Sequence, residues 1–205
     1  MRKFLLLILV LGVSLLGACS NNEQTNEEKT TSASKEEKKD GVSVDKGLLN
    51  VEVTLPASFF EGEDIDSTIA EAKKDGVKEV TKNKDGSLTY KMSKSKHKEM
   101  MKEVETSIKE SVEEAKTSGD YASINDITYN KSFSEFTLLV DKAAYENSMD
   151  GFAAIGFGMT GMMYQMYNGV DSDDTKVTIF VKDKATEKTF DEIVYPDALE
   201  ETSSN

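Results

Sequence analysis

The chain has 205 residues with one cysteine and one histidine, Cys19 and His97, so side chains suited to nucleophilic, general-base or soft-metal chemistry are nearly absent. A Cys-His or Ser-His triad needs an imidazole beside its nucleophile, and a zinc centre needs several Cys or His ligands. Neither is expected here, and no resident cofactor or metal is expected. His97, in Lys96-His97-Lys98-Glu99-Met100-Met101, reads as a solvated residue on the first turn of a helix. Catalysis would fall to Ser-Lys or carboxylate pairs. Such acidic pairs are common in this chain because it is acidic, none stands out, and the protein is not expected to be an enzyme. Asp171-Ser172-Asp173-Asp174 gathers carboxylates that could take Ca²⁺. It lacks the glycine at the sixth loop position, and Lys182 stands where a bidentate Glu is required, so a solvated turn is expected. The acidic run Glu61 to Asp66 is explained locally as a helix start.

The remaining chemistry is apolar. Phe152 to Val170 carries no charge and mixes Gly151, Gly156, Gly158 and Gly161 with Met159, Met162, Met163 and Met166. Two readings stand. In one, small residues let a central helix approach a sheet closely while methionines fill irregular gaps. In the other, Met159, Met162, Met163 and Met166, which recur at helical spacing, line an adaptable apolar groove for a lipid, a peptide or an exposed strand. Cu(I) would call for a neighbouring His or Cys. As a membrane span the segment is too rich in glycine and amide side chains.

Elements that would position these residues begin with a leader. Arg2 and Lys3 precede an apolar run from Phe4 to Val13, then small residues, then Cys19, the order of a secretory signal. At Phe4 to Ala18 the apolar stretch is shorter than the roughly 20 residues that span hydrocarbon. Leu16-Gly17-Ala18-Cys19 resembles the lipobox of bacterial lipoproteins. That resemblance implies that Cys19 takes a diacylglycerol thioether and becomes the new first residue when signal peptidase II cuts the leader away. Two acyl chains at about 0.8 kcal/mol per buried CH₂ hold a protein firmly to a bilayer. The expected organisation is a signal peptide over 1–18, a lipidated cysteine with a disordered stalk over 19–46, a globular domain over 47–200 and a disordered tail over 201–205. Residues 20–46 are too polar to offset the entropy of ordering, and as a flexible chain they would hold the domain about 30 Å from the membrane.

The formal net charge is −13, and losing Arg2 and Lys3 with the leader makes it more negative. Affinity for nucleic acid or anionic surfaces is therefore excluded on electrostatic grounds. A charged partner would be a cation or a basic protein. The same charge is also what keeps an exported domain in solution.

Within the domain, Leu49, Val51, Val53 and Leu55 alternate with polar residues as in a half-buried strand, which Pro56 ends. Asp64 is placed to cap a helix over Ile65 to Lys74, with Ile65, Ile69 and Ala72 inward and Gly76 after its end. Val77 to Val80 and Leu88 to Met92 flank Asn83-Lys84-Asp85-Gly86, a hairpin turn. Ser93 can cap a long helix, Lys94 to Ser118, whose stripe is Met101, Val104, Ile108, Val112 and Ala115. A second hairpin spans Ile124 to Val140 around Asn130 to Ser134, with Asp141 capping another helix. The two hairpin-helix units echo each other: Val80 with Ile127, Asn83 with Asn130, Ser87 with Ser134, Met92 with Val140. Duplication and convergence both account for this. A final hairpin pairs Lys176 to Val181 with Lys188 to Tyr195. The fold class expected is α+β, a single antiparallel sheet of about seven strands with three helices on one face, in the order β-α-ββ-α-ββ-α-ββ.

Pro56 to Ile65 and Tyr90 to Met101 are similar to stretches of small, uncharacterised lipoproteins of low-GC Gram-positive bacteria, and the similarity runs through most of the globular part. It implies one compact extracytoplasmic domain at the cell membrane and carries no binding residues with it. The function expected is a membrane-anchored, non-enzymatic module that binds a protein or a small apolar ligand. Two alternatives remain. One is a chaperone-like or stress-response lipoprotein holding unfolded clients on the Met-rich segment; the other is a carboxylate-dependent envelope hydrolase.

Overall fold

In the computed structural model the residues described are 41–199. The leader, Cys19, the stalk before residue 41 and the tail over 201–205 lie outside them. The class is α+β, but the single sheet is replaced by two. Strands β1 (Ser43–Lys46), β2 (Asn50–Leu55), β3 (Glu79–Lys82) and β4 (Leu88–Ser93) form an antiparallel sheet of order β1-β2-β4-β3. Strands β5 (Ile124–Tyr129), β6 (Glu135–Val140), β7 (Val177–Asp183) and β8 (Thr189–Tyr195) form the second, of order β5-β6-β7-β8. Its central β6-β7 pair is parallel, with Phe136 opposite Ile179 and Leu138 opposite Val181. The helices that accompany the sheets are α1 (Ile65–Lys74), α2 (Lys94–Thr117), α3 (Lys142–Glu146) and α4 (Phe152–Tyr167).

The sheet divides because α2 starts directly at the end of β4. Its 24 residues carry the chain about 36 Å before β5 begins. The parallel pair follows from the next connection, since α3 and α4 supply the long crossover that parallel neighbours require. Each sheet is still apolar on one face only. Val51, Val53 and Leu55 on β2 and Leu88, Tyr90 and Met92 on β4 are buried alternately, as are Phe136, Leu138 and Val140 on β6 and Val177, Ile179 and Val181 on β7.

Two further expectations are corrected. The first strand lies within the segment read as stalk, where Val42 is buried and Val44 packs against the first core. Leu49 does not point inward. It sits with Leu48 at the β1-β2 turn, and the two are 76% and 89% exposed, because the chain reverses there and the alternation of β2 begins only at Asn50.

The caps and turns form as their residues dictate. Asp64 accepts from the amides of Asp66 and Ser67, Ser93 from that of Lys96, and Asp141 from that of Ala144. In the two echoing turns, Asn83 Nδ2 donates to Ser87 Oγ and Asn130 Nδ2 to Ser134 Oγ, each at 2.9 Å. The units diverge at one position. Gly86 takes φ 88° in the first turn, whereas Phe133 takes φ 51° in the second. A left-handed aromatic residue is strained, and burial compensates. Its ring lies 4.8 Å from that of Tyr164, 5.1 Å from Tyr129 and 6.1 Å from Phe136.

On α4, small residues do allow a close approach to the second sheet. A Cβ on Gly158 would run into the ring of Tyr195, and one on Gly161 would strike the carbonyl oxygen of Phe133 and the Cγ2 of Val177. Gly156, on the same helix, has nothing within 4 Å of where its Cβ would be. Gly158→Ala and Gly161→Ala are therefore expected to cost about 1–3 kcal/mol by overpacking. Gly156→Ala should leave stability unchanged or raise it by up to about 1 kcal/mol. Urea unfolding of the three variants checks this ordering.

Candidate functional site

α2 and α4 together touch both sheets. The buried stripe of α2 runs His97, Met101, Val104, Ile108, Val112, Ala115. Met101 belongs to the core of the first sheet, the residues from Val104 onward to that of the second. α4 buries Ala153, Ala154 and Phe157 against the second sheet, and its last residue, Tyr167, in the first core. Where the second half of α2 faces the first half of α4, a cleft of about 360 Å³ opens. This lies at the lower end of the roughly 300–1,000 Å³ of small-ligand sites, enough for one or two large side chains.

The cleft exists because little side-chain volume is present to fill it. Ser111 and Ala115 line it from α2 and Ser118 from just after that helix, Ala153, Gly156 and Thr160 from α4, over a floor that includes Ile108 and Phe157. Thr160 turns its hydroxyl back to the carbonyl of Gly156 at 2.7 Å, so this polar group is satisfied within the helix. Glu114 and Asp120 border the cleft, and no lysine or arginine does. At the start of α4, one turn before Gly156, Phe152 is 55% exposed, and Met149 just before the helix is 70% exposed. The arrangement can receive an apolar group and attract positive charge. A shallower groove on the outer face of the second sheet, about 450 Å³, is lined by residues including Thr128, Thr137, Phe180 and Lys182.

Met159, Met162, Met163 and Met166 are all half-buried. Met162 packs on the second core, Met163 and Met166 on the first. Met162, Met163 and Met166 thus stand at the joint between the two cores, and none of the four methionines lines the α2-α4 cleft. The cleft was not visible as a motif. Its only sequence signal is small residues at helical spacing on two segments far apart in the chain.

His97 is not solvated as its lysine neighbours suggested. It is 7% exposed, and its Nε2 bonds the carbonyl oxygen of Tyr167 at 2.9 Å, one turn before Met101 on the buried stripe. Burial lowers its pKa, the nearby Lys46 ammonium lowers it further, and the bond to Tyr167 opposes both. This histidine clamps the end of α4, where Lys46 Nζ also donates to the carbonyl of Asn168. The serines of the cleft have no imidazole beside them. Asp150, also buried, accepts from both the amide and the hydroxyl of Ser123, at 2.8 and 2.5 Å, and so ties the start of β5 to the approach to α4. Ser172–Asp174 form a short 3-10 turn preceded by Asp171, whose carbonyl accepts from the Thr175 hydroxyl at 2.9 Å. Among the described residues no three His, Cys, Asp or Glu side chains gather where they could hold a metal ion. Nor is any helix among them long and apolar enough to cross a membrane.

Residues 43–152 match the Adhesin P1 N-terminal domain family, and the chain belongs to that family. The match covers the first sheet, α2 and β5-β6, and stops as α4 begins. No curated protein and no solved structure matches the chain.

Two measurements probe the joint at the end of α4. With the folded pKa of His97 held below its ordinary 6.5, the unfolded chain takes up the proton first. This contribution to stability is intact above about pH 6.5 and falls as pH drops through the window below it. His97→Gln should flatten that part of the stability-pH curve, measured by urea unfolding between pH 7.5 and roughly 5. The hydroxyl of Tyr167 is buried without a hydrogen-bond partner. Tyr167→Phe should thus be no less stable than the parent and up to about 1–3 kcal/mol more so in the same assay.

Proposed function

We propose that this protein is a non-enzymatic binding module held on the outer face of the cell membrane by lipid at Cys19, and that the α2-α4 cleft is its contact site. The observation that carries the reading is the cleft itself. Its floor is apolar, its border acidic, and a half-exposed phenylalanine stands at its approach. Membership of a domain family named for adhesins supports a cell-surface location. The lipobox-like Leu16-Gly17-Ala18-Cys19 supports the anchor. The absence of an imidazole from the cleft argues against serine chemistry there and favours binding over turnover.

A photo-crosslinking residue at Ser111 or Thr160, introduced in intact cells, should yield a defined adduct. The same residue at Thr54, on the first sheet, should not. Equal labelling at both positions would count against the cleft. In the same cells Cys19→Ser should release the protein from the membrane fraction, and retention there would contradict the lipid anchor.

A further inference from the structure

We infer that the occupant of the α2-α4 cleft is a basic amphipathic segment of another protein, one apolar side chain resting over Gly156 while flanking lysine or arginine residues face Glu114 and Asp120. The inference rests on the cleft being the contact site and adds the partner's chemistry. Three observations converge on it. First, Gly156 leaves open space where a side chain would stand, and Phe157 and Ile108 give that space an apolar floor. Such a space accepts the tip of a hydrophobic side chain and stays too small for a folded surface.

Second, the charges bordering the cleft are of one sign. Glu114 and Asp120 are the ionisable carboxylates of its lining and no basic residue accompanies them. Elsewhere on α2 some carboxylates pair with lysines, Glu105 with Lys109 at 2.5 Å and Glu113 with Lys116 at 3.1 Å. A desolvated partner with no positive charge would leave these carboxylates uncompensated. Third, the whole chain carries −13, which repels a second copy and speeds the approach of a cationic one. Phe152 and Met149, exposed at the start of α4, extend the apolar contact beyond the cleft along the direction an amphipathic helix would follow.

The test uses the full chain carrying Cys19→Ser, so that no lipid competes. The probes are a short fluorescein-labelled Leu/Lys amphipathic peptide, its Leu/Glu counterpart, and the neutral dye N-phenyl-1-naphthylamine. Gly156→Leu fills the cleft while favouring the helix, so it keeps the fold intact. The Leu/Lys peptide should bind, and Gly156→Leu should weaken it by roughly tenfold or more. Glu114→Gln with Asp120→Asn should weaken it by roughly three- to tenfold at low ionic strength, a loss that shrinks at high salt. Equal binding of the Leu/Glu peptide would overturn the inference about charge. If Gly156→Leu still displaces the dye in that case, the cleft remains the contact site. Peptide binding that ignores Gly156→Leu would overturn the inference too, as attraction to the acidic surface at large. If the dye is equally indifferent to Gly156→Leu, the cleft reading falls with it.

Discussion

The structure depends on one close contact, the backbone of α4 at Gly161 lying against the carbonyl of Phe133 and the side chain of Val177. Phe133 holds a left-handed backbone so that its ring can enter the core beside Phe136 and Tyr164. A glycine at that turn would relax the backbone and remove the ring. The aromatic cluster therefore sets the height of α4 over the second sheet. Gly158 against Tyr195 sets it again three residues earlier. With α4 seated so low, its far end reaches the first core, where Tyr167 is buried and His97 bonds its carbonyl.

This seating has two consequences. The first is mechanical. α4 and α2 each contribute to both cores, so two sheets that share no strand pairing are joined through helices. Met162, Met163 and Met166 of α4, with flexible unbranched side chains that adapt to irregular gaps, stand at that joint. The second concerns the surface. Gly158 and Gly161 lower α4 onto the sheet, while on the faces turned to each other Gly156 of α4 and Ser111 and Ala115 of α2 leave the space between the helices empty. A binding cleft is what remains when two helices are placed by their buried faces and carry small residues on the faces they turn to each other.

Much of the local structure was legible in the chain. Alternation marked β2, β4, β6 and β7, while Asp64, Ser93 and Asp141 announced their helices through cap chemistry that needs no tertiary context. The echo of Asn83-Ser87 in Asn130-Ser134 marked two matching turns, and in the structure each is locked by the same Asn-Ser hydrogen bond. What could not be read was anything set by where a long element ends. The number of sheets depends on how far α2 carries the chain, and the parallel β6-β7 pair on a crossover whose direction leaves no mark in either strand. His97 was obscured by Lys96 and Lys98, although its spacing of four from Met101 put it on the buried stripe. Leu49 misled because apolar alternation ran on through a turn. The cleft was hidden for a different reason: it is made of missing volume, and Ser111 and Gly156 become neighbours only once both helices are docked.

In this arrangement α2 and α4 bind two separate sheets into a single cooperative body. Native-state hydrogen exchange tests it most directly, by comparing the slowest amides of β4, at the heart of the first sheet, with those of β6 and β7 in the second. Opening of both at the same free energy, with the same denaturant dependence, is the predicted result. Two distinct opening energies, one for each sheet, would contradict the account.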